Sequence, residues 1–312
     1  MAKPDVPPAI VERVLVAEMP GPIRDIEELT GGNVGRVFGF VAGDAPYVIR
    51  FNHRAMGGFG DEVTVERLLA GTGVPFPHLV KTGHLAAFDW AISVRLPGSG
   101  VRIDDPALPA LVPALFATLD AIHTARLDGT EGYGGFDASG RGRDPSWRAH
   151  IRSVREDGPE GGYFPSWETL FATTMLEREP IDALMRTIEA TLLFCPEDRE
   201  LVHGDFGFDN VLVDVAEGRI TGVIDWQNAR FGDGLYDVAW LDFWPDPPLV
   251  DGIAGDYLAW RATRGAPLAH AAERIRCYQA MIAIDSLRFF AHADQPDAYR
   301  WLRGRIAHLM TA

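Results

Sequence analysis

Asp205 stands in the run Leu201-Val202-His203-Gly204-Asp205-Phe206-Gly207-Phe208-Asp209-Asn210, and Asp225 closes the run Val223-Ile224-Asp225-Trp226. Transfer of a phosphoryl group to a hydroxyl needs this kind of set. A carboxylate must accept or orient the attacking hydroxyl, and cations must bridge the phosphates. Mg²⁺ takes hard oxygen ligands, usually one or two carboxylates with amide oxygens, waters and phosphate oxygens. Asp205 suits the first task, and the amide of Asn210 with the carboxylate of Asp225 suits the second. Each residue alone is also a common turn or cap residue, so the joint spacing carries the signal.

The elements around these residues must bring them together. Val211 to Val213 and Ile220 to Ile224 read as short strands joined by a turn at Glu217-Gly218. A hairpin closes its outer ends on each other, so Asn210 and Asp225 can meet at one metal ion, with Asp205 on the loop before them. The first hundred residues read mainly as strands. Residues 37–41 and 47–51 alternate about Gly43-Asp44, a hairpin signal. A helix is predicted over residues 61–70 and a strand over 90–94, followed by a linker at Pro97 to Gly100. Leu111, Leu115, Leu119 and Ile122 recur at helical spacing, as do Ile181, Leu184, Ile188 and Leu192. Residues 132–144 are glycine-rich and read as loop, with Asp144-Pro145 as the cap and first position of a helix. The predicted fold is α+β and bilobal, with a β-rich lobe at 1–96 and a mainly helical lobe at 97–312.

The pattern H-G-D-x-x-x-x-N, followed by an aspartate after an apolar strand, resembles the catalytic core of the aminoglycoside phosphotransferases, relatives of the protein kinases. The likeness runs through Asp225-Trp226, Phe231-Gly232-Asp233, Tyr236-Asp237-Val238-Ala239 and Phe243-Trp244 to Ile284-Asp285. It reaches back to Gly132-Tyr133-Gly134-Gly135-Phe136 and Tyr47-Val48-Ile49-Arg50, and so covers most of the chain. It is nearest to the branch that acts on hygromycin. The resemblance implies a protein-kinase-like fold, ATP or GTP with Mg²⁺ as cofactors, and a small-molecule acceptor. It also implies Asp205 as base, Asn210 and Asp225 as metal ligands, His203 as packing for the loop, and Asp237 as acceptor of that loop's backbone hydrogen bonds.

By the same resemblance the first lobe holds the nucleotide. Gly31, Gly32 and Asn33 fall in a strand-turn-strand able to bring backbone N–H groups to phosphate oxygens, with no Walker pattern. Arg50 stands where such folds carry a lysine paired with a helix glutamate. Glu62 fits that glutamate, and Glu66 lies on the same helical face. Val94 C=O and Leu96 N–H are the expected adenine partners. On the acceptor side, Ile275, Tyr278, Ile282 and Phe289 form a helical stripe that also contains Asp285. A carboxylate on an apolar stripe needs a partner, either a substrate ammonium or an arginine such as Arg276 or Arg288. Asp242, before Phe243-Trp244, is a second candidate.

The formal charge of −15 argues against nucleic acid as a partner and permits a cationic substrate. No run approaches membrane-spanning length, and the first ten residues carry no secretory pattern. Two cysteines, Cys195 and Cys277, do not make a disulfide framework. The expected protein is cytoplasmic, a monomer or small homo-oligomer, and phosphorylates a hydroxyl of an antibiotic. The alternative is a metabolic kinase for a sugar or amino alcohol, because the motifs read the nucleotide half and not the acceptor half.

Overall fold

The computed structural model describes residues 4–29, 35–54, 58–102, 105–159, 162–244 and 252–311. Helix α1 (Pro8–Glu18) is followed by strands β1 (Ile23–Leu29), β2 (Arg36–Ala42) and β3 (Ala45–His53). Helix α2 (Gly60–Leu69) and strands β4 (Leu79–Leu85) and β5 (Phe88–Val94) complete the N-terminal part. The five strands form one antiparallel sheet in the order β1-β2-β3-β5-β4. Ala42 pairs with Ala45, so Gly43 and Asp44 make a two-residue turn, and Gly43 takes a φ of 61°, the left-handed geometry such hairpins need. Alternation buries Phe40, Ile49, Phe51, Trp90 and Ile92 against Val11, Val14 and Leu15 of α1.

The remainder begins with strand β6 (Ser99–Gly100), helix α3 (Leu108–His123), strands β7 (Tyr133–Phe136) and β8 (Gly142–Asp144), and helices α4 (Trp147–Ser153), α5 (Trp167–Thr173) and α6 (Arg178–Thr191). Strands β9 (Glu200–Val202), β10 (Val211–Asp214), β11 (Arg219–Val223) and β12 (Arg230–Gly232) follow, then helices α7 (Leu235–Phe243), α8 (Ile253–Thr263), α9 (Ala271–His292) and α10 (Pro296–Thr311). A β-rich first part and a helical second part with an embedded hairpin give the α+β, two-lobed fold that the pattern predicts.

Three local readings change. The segment 97–100 is not a free linker, since Ser99 and Gly100 pair with Val213 and Leu212 of β10 and Thr221 Oγ1 donates to Pro97 O at 2.7 Å. Gly98, at a φ of 99°, allows this approach, because a Cβ there would lie 2.7 Å from Val213 O. The glycine-rich run at 132–144 holds β7 and β8, which join β12 and β9 in one sheet. The helix after it is capped by Ser146, whose Oγ accepts from Ala149 N, while Asp144 bonds His150 at 2.8 Å. The apolar contacts also cross the lobes: Val65, Leu68 and Leu69 of α2 belong to the same cluster as the helical part.

Candidate active site

The run after β9 is held by one carboxylate. Asp237, at the start of α7 and fully buried, accepts from His203 N (2.9 Å) and Gly204 N (2.8 Å), and from His123 Nε2 (3.0 Å). Burial pushes the Asp237 carboxyl up, but the bond from His123, the nearby imidazoles and the Gly204 N–H outweigh it and hold it below its ordinary value. Burial likewise pulls His123 down, and Asp237 more than restores it, so His123 lies above its ordinary value. Gly204 is required here: its φ is 82°, and a Cβ would lie 2.1 Å from Asn228 O, a clash no rotamer relieves.

His203 takes a different role. Its Nδ1 accepts from Asp205 N (3.2 Å), which leaves the proton on Nε2 to donate to Ile224 O (3.0 Å). Burial pulls its pKa down, consistent with a neutral ring, wedged against Phe206 and Trp226. The imidazole thereby ties the loop before Asp205 to the chain entering Asp225.

The hairpin closes as expected. Ile224 N donates to Asn210 O (2.9 Å), and Asn210 Nδ2 donates to Asp205 O (2.8 Å), leaving Asn210 Oδ1 as the amide's acceptor atom. Asp225 adopts φ 63° and ψ 63°, left-handed backbone that is uncommon for a residue other than glycine and that gathers at functional sites. Asp205, Asn210 and Asp225 therefore meet at one end of β10 and β11. Burial, then the charges of Asp225 and Asp209, push Asp205 up to about 7 against the Asn210 and Asn228 amides. Burial also raises Asp225, opposed by Arg50 and His203. Asp205 and Asp225 are both half-buried.

On the N-terminal side, Arg50 of β3 and Glu62 of α2 form a two-pronged ion pair, with Nη1–Oε1 at 2.7 Å and Nη2–Oε2 at 2.5 Å. Glu62 is almost wholly buried, and the guanidinium lies 4.9 Å from the Phe59 ring centroid. Burial disfavours the Arg50 charge, but Glu62, Asp225 and Asp61 together raise its pKa. Glu66 instead binds His78 and Leu79 N, so the helix glutamate beside Arg50 is Glu62. Val94 and Leu96 are half-buried at the end of β5. Gly31, Gly32 and Asn33 lie outside the described residues.

The two acceptor candidates differ. Asp242 is engaged within the fold: Oδ1 accepts from Ala254 N (3.0 Å) and Oδ2 from Gln279 Nε2 (3.1 Å), tying α7 to α8 and α9. Asp285 of α9 has no hydrogen bond or ion pair among the described residues. Burial pushes its carboxyl up to about 6 against the charges of Arg230 and Arg288. Arg288 was legible from its place three residues on, whereas Arg276 does not figure among these charges. No motif or spacing marks Arg230, Asn228 or His123, which come from distant segments.

A two-lobed α+β fold, with an arginine–glutamate pair on one side and an Asp–Asn–Asp set on a hairpin on the other, defines a kinase-like phosphotransferase. The chain belongs to the phosphotransferase enzyme family, whose pattern it matches over residues 25–268. It is 32% identical to hygromycin-B 4-O-kinase of Escherichia coli over 309 residues, covering 98% of this chain and 86% of that protein. A thermostable mutant of aminoglycoside phosphotransferase APH(4)-Ia, solved as a ternary complex with AMP-PNP and hygromycin B, superposes with a TM-score of 0.77 at 31% identity, over 96% of this chain and 97% of that one. Aminoglycoside 2'-phosphotransferase-IIIa in its GDP complex shares the fold at a TM-score of 0.67 and 14% identity, over 96% and 97% of the two chains.

Proposed function

We propose that this protein transfers the γ-phosphoryl group of ATP to a hydroxyl of an aminoglycoside of the hygromycin type and so inactivates it. The observation that carries this reading is the convergence of Asp205, Asn210 and Asp225 at one end of the hairpin, facing the Arg50–Glu62 pair. Asp205 orients the acceptor hydroxyl and takes its proton as the bond to phosphorus forms. Its raised pKa suits it to hold that proton near neutrality. Arg50, fixed by Glu62, grips phosphate oxygens; its planar fork can do so through two hydrogen bonds, unlike the lysine of related folds. Val94 C=O and Leu96 N–H receive the adenine, and residues 1–96 form the nucleotide lobe.

The donor set suits Mg²⁺. Asn210 Oδ1 and the Asp225 carboxylate are hard oxygens, and among the described residues no group of three His, Cys, Asp or Glu side chains forms a cage for a more demanding metal. Two protein ligands completed by phosphate oxygens and water is the usual pattern for this ion. When bound, it neutralises charge on the phosphates during transfer.

Asp285 lines the acceptor side, where a substrate ammonium meets it. No helix among the described residues is long and apolar enough to cross a membrane, and both cysteines are free and buried, which fits a reducing cytoplasm. The test is ATP consumption against a panel of antibiotics and metabolic alcohols, with and without Mg²⁺. Turnover of hygromycin-type aminoglycosides supports the reading. Turnover confined to sugars or amino alcohols replaces it with a metabolic kinase.

A further inference from the structure

Arg230 is a cation placed beside the catalytic loop and in no ion pair among the described residues. On β12 it pairs with Val202, just before that loop. A Cβ on Gly204 would lie 3.0 Å from its Nε, which sets the guanidinium next to the residue preceding Asp205. Three neutral groups hold it. Its Nε donates to Asn228 O at 3.1 Å, its Nη1 approaches His150 Nε2 at 3.4 Å, and its guanidinium carbon lies 4.6 Å from the Tyr236 ring centroid. His150 Nδ1 is engaged by Asp144 at 2.8 Å, so Nδ1–H donates there and Nε2 presents a lone pair to Arg230. Arg230 forms no ion pair among the described residues. An arginine oriented by neutral partners keeps its charge and its directional donors for something else.

The charge of Arg230 also reaches Asp285, which makes no hydrogen bond among the described residues and feels Arg230 more than Arg288. Arg288 is committed elsewhere. It is buried, and its guanidinium lies 4.3 Å and 4.6 Å from the Phe164 and Trp167 ring centroids. Arg230 is therefore the cation beside the catalytic loop whose Nη2 makes no hydrogen bond among the described residues.

We propose that Arg230 determines acceptor specificity, by receiving an oxygen-rich face of the acceptor while Asp285 receives an ammonium group, so that the enzyme favours acceptors with few ammonium groups over polyammonium ones. This rests on the phosphotransferase reading and names the charge class of its substrate. A purely anionic cleft would reward every added ammonium. A cleft with one fixed guanidinium penalises those that fall beside it, because like charges held in contact are costly.

The experiment compares wild type, R230M and R230K at fixed ionic strength. The acceptors are aminoglycosides graded by number of ammonium groups, together with uncharged polyols and hydroxy acids. kcat/KM is measured for each, equilibrium binding is measured wherever turnover is absent, and melting temperature is measured for every protein. In R230M the preference for polyammonium over weakly charged acceptors should rise by about tenfold, the scale of one like-charge contact removed. R230K should keep the wild-type order. A uniform loss across the panel would mean that Arg230 only props the catalytic loop, and an unchanged order would mean that it does not face the acceptor; either overturns the proposal, as does a panel in which nothing turns over or binds. If the antibiotics fail but other alcohols turn over, the antibiotic reading falls while the ratio between variant and wild type still decides the role of Arg230.

Discussion

The loop that carries Asp205 and the wall that carries Asp285 are built on opposite plans. At the loop, both oxygens of Asp237 are filled by donors from the protein, and both nitrogens of His203 are used. At the wall, Asp285 and Arg230 feel each other's charge but form no ion pair among the described residues. Filled polar groups fix a geometry, whereas open ones are poised for a ligand. On the proposed reading the chemistry resides in the first plan and the choice of substrate in the second.

The largest effect should come from Asp205→Ala, which removes the proposed acceptor of the proton while leaving the scaffold of the loop in place. Turnover should fall by roughly a thousandfold or more, as expected for loss of positioning and base together, with the melting temperature unchanged. Turnover within about tenfold of wild type would show that the loop is rigid for some other reason.

Asp237→Ala attacks the filled plan itself. It strands two backbone N–H groups and a buried imidazole, and should cost about 3–5 kcal/mol of stability. Its pH signature follows from the two shifts. Asp237 titrates below its ordinary value, so its contribution is present above about 3.9 and fades as pH falls through the lowered pKa. His123 titrates above its ordinary value, so its contribution is full below about 6.5 and fades as pH rises through the raised pKa. Thermal melts from pH 3 to 9, about the range these titrations span, should show a stability maximum between those limits in the wild type and a flatter profile in Asp237→Ala. Matching profiles would remove the pair from the account.

Arg50→Met tests whether the nucleotide side belongs with the filled plan. It leaves Glu62 buried without its partner, and the KM for ATP should rise by about 10–100-fold, the scale of a lost charged contact to phosphate. Arg50→Lys should recover part of this, because lysine keeps the charge but not the fork. Recovery to the wild-type KM would show that charge alone matters at this position.

The two plans differ in how far the sequence reveals them. Asp205, Asn210 and Asp225 were legible because a hairpin and a short loop fix their separation along the chain, and Glu62 because one helix turn sets its reach to β3. Asp237 was legible only through the family pattern. Its third donor, His123, comes from the end of α3 and carries no local mark. Arg230 reads as one more polar residue on a short strand, since what sets it apart is the absence of an ion pair among the described residues, and absence has no spacing. Asp242 read as a pocket residue because its neighbours are aromatic, yet it ties the start of α8 to α9, a contact that depends on how three helices pack. The glycines at 132–144 read as loop because glycine weakens strands, but here they let β7 and β8 add to the sheet beside β12.

The smallest expected effect sharpens the open plan. If Asp285 receives a substrate ammonium, the acceptor must bind its carboxylate form. Its carboxyl is pushed up to about 6 by burial, with Arg230 and Arg288 pulling the other way. The KM for an ammonium-bearing acceptor should therefore be flat well above pH 6 and rise by about tenfold for each unit below it, as the carboxylate population falls. Asp285→Asn should raise the KM by about tenfold at neutral pH, less than a fully desolvated pair would lose, because Arg230 already offsets part of the charge. It should also abolish the acid limb. Removing a half-buried charge that makes no ion pair among the described residues should leave the melting temperature unchanged or raised. A lowered melt with an unchanged KM and an intact acid limb would place Asp285 in the scaffold with Asp237, and the contrast between the two regions would end there.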